Sequence, residues 1–349
     1  MQRRSTRLPR VTSTISPLSP LSPSRRSLLL AGLGLCIGWR GVRAQDYRSN
    51  ARRYLYGGMP YDAFDELPTT TIVLSGGKIL VAFAPGEFEL SKSRVLSWVK
   101  SAGETVSQYY GRFPVPLARL LIVPYDGGGV GGGNAFGYGG AAIRLRLGQY
   151  TNEYQLDHDW VLVHEMVHLA FPSVPQRHHW IEEGLATYVE GIARVQAGRL
   201  SADELWAGML DGMPKGLPQE GDHGLDHTPT WGRTYWGGAI FCLLADVEIR
   251  NRTNNRKGLQ DALRAILVAG GNMEVRWPIT RAFEVGDAAT GVPVLTTLYR
   301  ELKDDPAPVD LPGLWRRLGV APRGRTVVFS DDAPLAAIRR GIITAPRLT

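Results

Sequence analysis

Segment 163–168 reads Val-His-Glu-Met-Val-His and places two histidines four residues apart. On an α-helix such residues are nearly aligned and about 6 Å apart along the axis, so His164 and His168 can contact one metal ion. Glu165 projects in an adjacent direction, from which its carboxylate reaches a water at that ion without binding the ion. The chain has only 7 histidines, which makes coincidence a poor explanation. The segment predicts a helix that carries two metal ligands and a general base.

Apolar residues flank this motif on nearly every face of the predicted helix, which indicates that the helix is buried. Burying two imidazoles and a carboxylate there costs several kcal/mol unless a partner satisfies their polar atoms. A divalent cation is such a partner. The alternative is that His164 and His168 are core histidines with hydrogen bonds to the backbone. The full pattern with Glu165 favours the metal site over that alternative.

The third ligand is expected from the next predicted helix, at residues 180–196. A catalytic zinc ion takes three protein ligands and keeps one position for water. Two adjacent carboxylates, Glu182 and Glu183, lie near the start of this helix. The spacing alone leaves both of them as candidates.

The two motifs together resemble a known group of enzymes. His-Glu-x-x-His, followed after fourteen residues by Glu-Gly-Leu-Ala-Thr-Tyr, is similar to the gluzincin zinc metallopeptidases. The resemblance is strongest to the peptidase MA-like proteins and their aminopeptidase N-like and glycyl-aminopeptidase-like relatives. It implies that the glutamate directly before the glycine, Glu183, is the third Zn²⁺ ligand.

A further segment, Trp-Gly-Arg-Thr-Tyr-Trp-Gly-Gly-Ala at 231–239, extends the resemblance. In the aminopeptidase N-like relatives a tyrosine before such a helix start points its hydroxyl at the tetrahedral intermediate. The matching residue here is Tyr235, where a donor would stabilise the negative charge that develops on the carbonyl oxygen. The alternative for Tyr235 is an aromatic side chain packed in the core.

Two departures from this pattern bear on the type of peptidase. The spacing from His168 to Glu183 is shorter than in the aminopeptidase N-like enzymes and closer to the peptidase MA-like pattern. The Gly-Ala-Met-Glu-Asn segment that grips a free α-amino group is missing, and segment 133–140 reads Gly-Asn-Ala-Phe-Gly-Tyr-Gly-Gly instead. No acidic residue lies between Gly127 and Tyr150. The cleavage mode, exopeptidase or endopeptidase, is therefore left open.

Glycine dominates residues 126–140, which predicts a flexible surface loop. Its sequence lacks the Gly-Lys-Ser/Thr ending of a phosphate-binding loop. The functional alternative is a lid or an edge over the cleft. In that case the alternating strand at 141–147 pairs with an extended peptide through main-chain hydrogen bonds.

The pattern of elements predicts an α+β fold. It consists of a mixed sheet with helices in the N-terminal half, a zinc-binding helix pair, and a mostly helical C-terminal half. We expect a sheet-containing subdomain at 45–150, a helical catalytic subdomain at 151–318 and a short closing element at 319–349. Predicted strands lie at 70–74, 78–83, 120–123, 141–147 and 326–329. Predicted helices lie at 91–110, 156–171, 180–196, 202–210, 235–252, 258–268, 295–303 and 333–340.

Residues 1–44 have the layout of a twin-arginine signal peptide, with Arg25 and Arg26 ahead of an apolar run at 28–39. That run is too short to span a membrane, and no later segment is long enough. Cleavage is predicted after Ala44, which places the mature protein in the periplasm or outside the cell.

The net charge limits the classes of binding partner, and the cysteine content limits the possible disulfides. The full sequence has a formal net charge of +7. The predicted leader contains eight arginines and no acidic residue, so the net charge of the mature chain is near −1. The basic composition is therefore no evidence for a nucleic-acid partner or for membrane association. Cys242 is the one cysteine after residue 44, so we expect a buried thiol and no internal disulfide.

Other polar residues are assigned lesser roles. His178 and His179 precede the second metal helix and are expected to face solvent, with a place in the lining of the cleft as the alternative. Glu190 is either a carboxylate that orients a ligand histidine or a surface acid. Asp246 and Arg250 are expected on a solvated or ion-paired helix face.

These features predict a secreted zinc-dependent metallopeptidase that acts on a peptide or protein substrate. The predicted site has His164, His168 and Glu183 as ligands, with Glu165 activating the water and Tyr235 stabilising the oxyanion. The alternative is a non-catalytic zinc-binding scaffold or a cell-wall-associated binding protein. A general base argues against that alternative, because a purely structural zinc site gains nothing from one. The sequence gives no oligomeric state.

Overall fold

A five-stranded mixed sheet forms the N-terminal part of the computed structural model, which describes residues 53–345. Its strands follow one another in space as β1-β2-β3-β5-β4. The central strands β2, β3 and β5 are parallel, whereas β1 and β4 run antiparallel to their neighbours at the two edges. The strands are β1 (Thr69–Leu74), β2 (Gly77–Phe83), β3 (Leu117–Tyr125), β4 (Val130–Phe136) and β5 (Ala142–Gly148).

The connections around the sheet follow local signals in the sequence. Gly76 has φ +83° in the turn between β1 and β2, a conformation that glycine adopts without the usual steric cost. Helix α2 (Lys92–Tyr110) begins where the Ser91 hydroxyl accepts a hydrogen bond from the Arg94 amide. It ends at Gly111, which adopts the left-handed conformation of a helix C-cap. The predicted helix at 91–110 is thus confirmed.

The glycine-rich segment is a strand for half of its length, so the predicted loop at 126–140 is wrong there. Strand β4 pairs with β5 through backbone hydrogen bonds, which glycine makes as well as any other residue. The prediction failed because glycines carry no side chains to show an alternating pattern. It also follows that the strand predicted at 141–147 is internal, and that β4 forms the edge of the sheet on this side.

The turn after β4 is tied to the beginning of the described chain. The Met59 amide donates to the Tyr138 hydroxyl at 2.5 Å, and the Tyr61 hydroxyl donates to the Gly140 carbonyl at 2.7 Å. The two tyrosine rings meet edge to face. These contacts hold the turn in place and do not favour a freely moving lid.

Helices dominate the chain after β5, as predicted, and the α+β fold class is confirmed. The helices are α1 (Ala63–Glu66), α3 (Glu153–Asp157), α4 (Val161–His168), α5 (His179–Gln196), α6 (Ala202–Gly212), α7 (Gly238–Arg252), α8 (Leu259–Val268), α9 (Ile279–Thr290), α10 (Val294–Leu302), α11 (Leu311–Leu318) and α12 (Ala336–Ile343). A hairpin of β6 (Val320–Arg323) and β7 (Thr326–Phe329) precedes the last helix. Arg233–Gly237 forms a π-helical turn directly before α7.

The helix predicted at 156–171 is interrupted, which corrects that prediction. Helix α3 ends at Asp157, and α4 starts at Val161. The Asp159 carboxylate accepts hydrogen bonds from the amides of Val161 and Leu162, both at 3.0 Å. A side chain that caps a new helix in this way ends the previous one, and a run of apolar residues does not reveal the break.

Helix α7 runs through the core beside α5. Cys242 on it is fully buried and free, as predicted. Asp246 and Arg250 are also buried, so the predicted solvated face is wrong, while the predicted ion pair is present at 2.8 Å. The Tyr188 hydroxyl donates to the other Asp246 oxygen at 3.0 Å and links α5 to α7. A buried charge pair with further hydrogen bonds fixes how the two helices are aligned.

Some predictions concern residues outside 53–345 or a division into subdomains. The predicted signal peptide at 1–44 and the cleavage after Ala44 lie outside the described residues. The proposed division at 150 and 318 stays a prediction. Within residues 53–345, no helix combines the length and apolar content needed to cross a membrane.

Candidate metal centre

Three predicted ligands converge between helices α4 and α5. The His164 and His168 rings, one helical turn apart, have centroids 5.0 Å from each other. Oε2 of Glu183, on the first turns of α5, lies 3.3 Å from Nε2 of His164 and 3.6 Å from Nε2 of His168. One donor atom from each residue lies within 4.8 Å of the other two. One ion between the helices can therefore contact all three side chains.

The chemistry of this donor set fits zinc. Two imidazole nitrogens and one carboxylate oxygen are ordinary zinc ligands, and three protein ligands leave a position for water. Burial lowers the pKa of His164, which favours the neutral imidazole that binds metal. Burial alone would raise the pKa of Glu183, but hydrogen bonds with the neighbouring histidines hold it well below its usual range. The carboxylate is thus ionised and ready to bind a cation.

Glu182 points away from the two imidazoles. Its Oε1 accepts a hydrogen bond from the Val174 amide at 3.3 Å, and its Oε2 lies 3.0 Å from Nδ1 of His179. Adjacent residues on a helix project about 100° apart, so only one of the two glutamates can face the histidines. The geometry gives that position to Glu183.

His179 lines the cleft, the alternative to a solvent-facing position, and its side chain is still 41% exposed. Its Nε2 is 3.3 Å from Oε1 of Glu183, the carboxylate oxygen that does not face the other histidines. Hydrogen bonds with Glu182 and then Glu183 raise the pKa of His179 to about 10. The four-residue spacing from His179 to Glu183 on one helix is the sequence signal that could have revealed this contact. His179 helps to fix the orientation of the third ligand.

His178, unlike His179, is buried, which corrects its predicted solvent-facing position. Its Nδ1 lies 2.8 Å from Oδ1 of Asp226, and the Trp180 indole donates to the same oxygen at 2.7 Å. The Tyr299 hydroxyl donates to Oδ2 of Asp226 at 2.9 Å. This buried carboxylate anchors the start of α5 to two other parts of the chain. Sequence reasoning missed Asp226 because its partners lie 46 to 73 residues away.

Glu165 is buried beneath strand β4, with 7% of its surface exposed. Burial raises the pKa of its carboxyl to about 7. A backbone hydrogen bond from Ala135 acts in the opposite direction and lowers this pKa. A Cβ atom on Gly133 would lie 2.6 Å from Cγ of Glu165, closer than such contacts occur. The glycine in β4 therefore allows the strand backbone to lie directly against the predicted general base.

Tyr235 approaches the centre from the π-helical turn. Its ring lies nearly parallel to the His164 ring, with 6.4 Å between centroids. Burial, followed by the charges of Glu183 and Glu165, raises the pKa of Tyr235 to about 12. The hydroxyl stays protonated at neutral pH and remains a hydrogen-bond donor. π-Helical turns within α-helices are frequent at functional sites.

Two glycines allow the helix that bears Glu183 to approach the helix that follows Tyr235. A Cβ on Gly184 would lie 2.3 Å from the backbone of Gly238, and a Cβ on Gly238 would lie 2.1 Å from the Trp180 carbonyl oxygen. The contact is therefore backbone against backbone. It explains the glycine next to Glu183 in physical terms.

This contact gives a prediction for stability. Gly184→Ala is expected to lower the free energy of unfolding by about 1 to 3 kcal/mol, because the added methyl group forces two helix backbones apart. Gly208→Ala is the matched control, since Gly208 is helical and exposed and has nothing within 4 Å of its Cβ position. That control should stabilise the protein by about 0.5 to 1 kcal/mol. Urea denaturation measures both, and equal effects would contradict the close contact.

Glu190 matches neither of its predicted roles. Its carboxylate accepts a hydrogen bond from the Arg194 guanidinium at 2.6 Å, on the next turn of α5. Burial raises the pKa of Glu190 to about 7. Glu190 is therefore part of a mostly buried ion pair within α5.

The centre opens into a cavity of about 530 Å³, within the size range of ligand sites in proteins. Strand β4 and its following turn form one wall, and α4, α5 and Tyr235 form the other. Its lining residues are Gly133, Asn134, Ala135, Phe136, Gly137, Tyr138, His164, Glu165, His168, Phe171, Ser173, His179, Glu182, Glu183, Tyr235 and Met273.

Similar proteins were found only by comparison with solved structures. No protein-family model matches the chain, and no curated protein matches its sequence. Its fold is similar to an aminopeptidase N family protein from Idiomarina loihiensis, with 13% identity, a TM-score of 0.56, and coverage of 73% of this chain and 49% of that one.

Further similar structures come from Deinococcus radiodurans. An M1 zinc metallopeptidase matches at 14% identity and a TM-score of 0.45, over 70% of this chain and 54% of that one. A variant of such an enzyme bound to a Tyr-Ser-Ala substrate gives the same values. This chain spans about half the length of these structures. The described residues thus have an α+β fold similar to that of the aminopeptidase N family protein from Idiomarina loihiensis, and they carry a candidate His-His-Glu metal site.

Proposed function

We propose that this protein is a zinc-dependent metallopeptidase that hydrolyses peptide bonds. The observation that carries the proposal is the convergence of His164, His168 and Glu183 beside a buried carboxylate, Glu165, in one cleft. A buried carboxyl whose pKa is raised to about 7 is suited to accept and release a proton near neutral pH. The other side chains of the cleft are consistent with this chemistry.

The roles of the residues follow from their positions. Zinc held by the three ligands would supply Lewis-acid chemistry for a water and for the scissile carbonyl. Glu165 accepts the proton of the attacking water and passes it to the leaving amine. Tyr235 donates its hydroxyl hydrogen bond to the carbonyl oxygen as negative charge develops there. His179 keeps the Glu183 carboxylate in place through its second oxygen.

The free edge of β4 suits an extended peptide. As the last strand of the sheet, β4 leaves one row of backbone groups without a strand partner, and its residues line the cleft beside Glu165. A substrate backbone can add to this edge as a further strand. The part of the wall formed by β4 and its turn that lines the cleft carries no carboxylate, whereas Glu182 lines the cleft on the side of α5. The edge of β4 supports binding of a peptide through its main chain, whether or not its N-terminus is free.

Hydrolysis of peptides before and after metal removal tests the proposal. We expect cleavage of both free and N-acetylated peptides by the zinc-loaded protein, loss of cleavage with a chelator, and recovery when zinc is added back. Tyr235→Phe should lower kcat by about 10²- to 10³-fold, the range seen when one oxyanion donor is removed. Tyr150→Phe is the control, because Tyr150 is exposed and does not line the cleft.

Two outcomes would contradict the proposal. Full activity in protein that is shown to be free of metal would exclude the zinc mechanism. Tight zinc binding without cleavage of any peptide in a broad library would instead support the non-catalytic scaffold.

We also propose that the protein is exported. The support is the sequence of residues 1–44, with its paired arginines and apolar run. Sequencing the N-terminus of the protein recovered from outside the cytoplasm tests this part of the proposal, and Gln45 is the residue expected there.

A further inference from the structure

Two exposed tryptophans lie beside the metal centre. Trp160 is 51% exposed and Trp231 is 62% exposed. Among the other tryptophans within residues 53–345, one is half-buried and the rest are at most 7% exposed. Single exposed apolar residues are ordinary on protein surfaces. The unusual point is that both exposed indoles contact residues of the candidate site.

Trp160 contacts the first metal ligand. Its ring meets the His164 ring edge to face, with 5.5 Å between centroids. It stands at the N-terminus of α4, one helical turn before His164, so helix geometry places the two side chains on the same side. The indole thus covers the approach to His164 from solvent.

Trp231 makes the corresponding contact with Tyr235. The two rings are stacked at 28° with 5.9 Å between centroids. Tyr235 is itself stacked on His164. The four rings form a continuous aromatic surface, which we call the aromatic wall: Trp160, His164, Tyr235 and Trp231. The wall extends from the site of reaction to the solvent on both flanks of His164 and Tyr235.

Of the aromatic wall, His164 and Tyr235 line the cavity, and Trp160 and Trp231 extend this lining through their ring contacts with those two residues. A carbonyl held by the Tyr235 hydroxyl places the adjoining residues of the peptide within reach of the rings around it. Indole faces bind aromatic side chains through stacked or edge-to-face contacts, and aliphatic ones through burial of apolar surface. A charged or small polar side chain gains neither contribution.

We propose that Trp160 and Trp231 form a subsite that selects a bulky apolar or aromatic side chain beside the bond to be cleaved. This inference rests on the proposed peptidase function, because it places the substrate backbone at Tyr235. The expected substrates are peptides with phenylalanine, tyrosine or leucine at one position next to the scissile bond.

A peptide series tests the subsite. Quenched fluorescent peptides differ at one position on either side of the cleaved bond and carry Phe, Leu, Ala, Ser or Lys there. The wild-type protein is expected to prefer Phe or Leu over Ala by about 10- to 200-fold in kcat/KM at one of these positions. Trp160→Ala and Trp231→Ala should each reduce that ratio about tenfold or more.

Matched variants separate selection from disruption of the site. Trp231→Phe keeps an aromatic face and should retain most of the preference. Tyr150→Ala removes another exposed aromatic side chain that makes no ring contact with the site, and it should leave the ratio unchanged. Metal content and Tm of each variant show whether the centre is intact. An unchanged Phe-to-Ala ratio in both tryptophan variants would overturn the inference.

Binding distinguishes failure of the subsite from failure of the peptidase. Calorimetry with Glu165→Gln protein measures affinity for Phe and Ala peptides without turnover. Tighter binding of the Phe peptide that disappears with Trp160→Ala or Trp231→Ala supports the subsite even when no peptide is cleaved. Equal affinity for both peptides would contradict the subsite even when hydrolysis is observed.

Discussion

Glu165→Gln is expected to lower kcat for peptide hydrolysis by about 10²- to 10⁴-fold, the usual contribution of a positioned general base. Glutamine has nearly the same shape as glutamate, but its amide cannot take a proton from water. The side chain is buried against β4, so the change should leave the backbone and the three ligands in place. Initial rates, zinc content and Tm measured on the same preparation give the comparison.

A second glutamate shows that the loss is specific to this position. Glu104→Gln changes an exposed carboxylate on α2 whose ion-pair partner is Lys100 at 3.6 Å. Exposed pairs of this kind contribute little to stability, so activity and Tm should stay near those of the wild type. Glu165→Gln protein with full zinc content and full activity would rule out Glu165 as the base.

Glu183→Gln is expected to weaken zinc binding by more than about 100-fold. Loss of a partner that only orients a ligand already costs about 10- to 100-fold in metal affinity, and loss of a charged ligand should cost more. Oε2 of Glu183 is the carboxylate oxygen that faces both His164 and His168. Competition with a chromogenic chelator measures the affinity directly and needs no substrate.

The neighbouring glutamate is the natural control for this experiment. Glu182→Gln removes a charge from the same helix turn but leaves Glu183 facing the histidines. The glutamine oxygen can still accept from the Val174 amide, and only the charge beside His179 is lost, so zinc affinity should fall by about tenfold or less. A larger loss for Glu182→Gln than for Glu183→Gln would show that the ligand has been assigned to the wrong carboxylate.

The metal helix was the most predictable part of the centre. The juxtaposition of His164 and His168 is a property of one helix turn, so local geometry was sufficient. The choice between Glu182 and Glu183 depends on how α5 is rotated against α4, and only the resemblance to gluzincins pointed to Glu183. The placement of Tyr235 likewise came from resemblance, since its contact with His164 spans separate elements.

Other features depend on contacts that are distant in sequence. Strand β4 was missed because its glycines give no pattern, and its identity comes from pairing with β5. Asp226 was missed because its hydrogen-bond partners belong to α5 and α10. The predicted exposure of His178 was wrong for the same reason, because a local sequence does not show which carboxylates will surround a histidine.

The backbone contact at Gly184 and Gly238 also bears on how the two helices can move. Helices packed without intervening side chains have little room to slide, since protein interiors are dense and resist compression. We therefore expect the first turns of α5, which carry Glu183, and the start of α7 to move together. The distance between Glu183 and Tyr235, which lies three residues before Gly238, should then change little when the surrounding structure fluctuates.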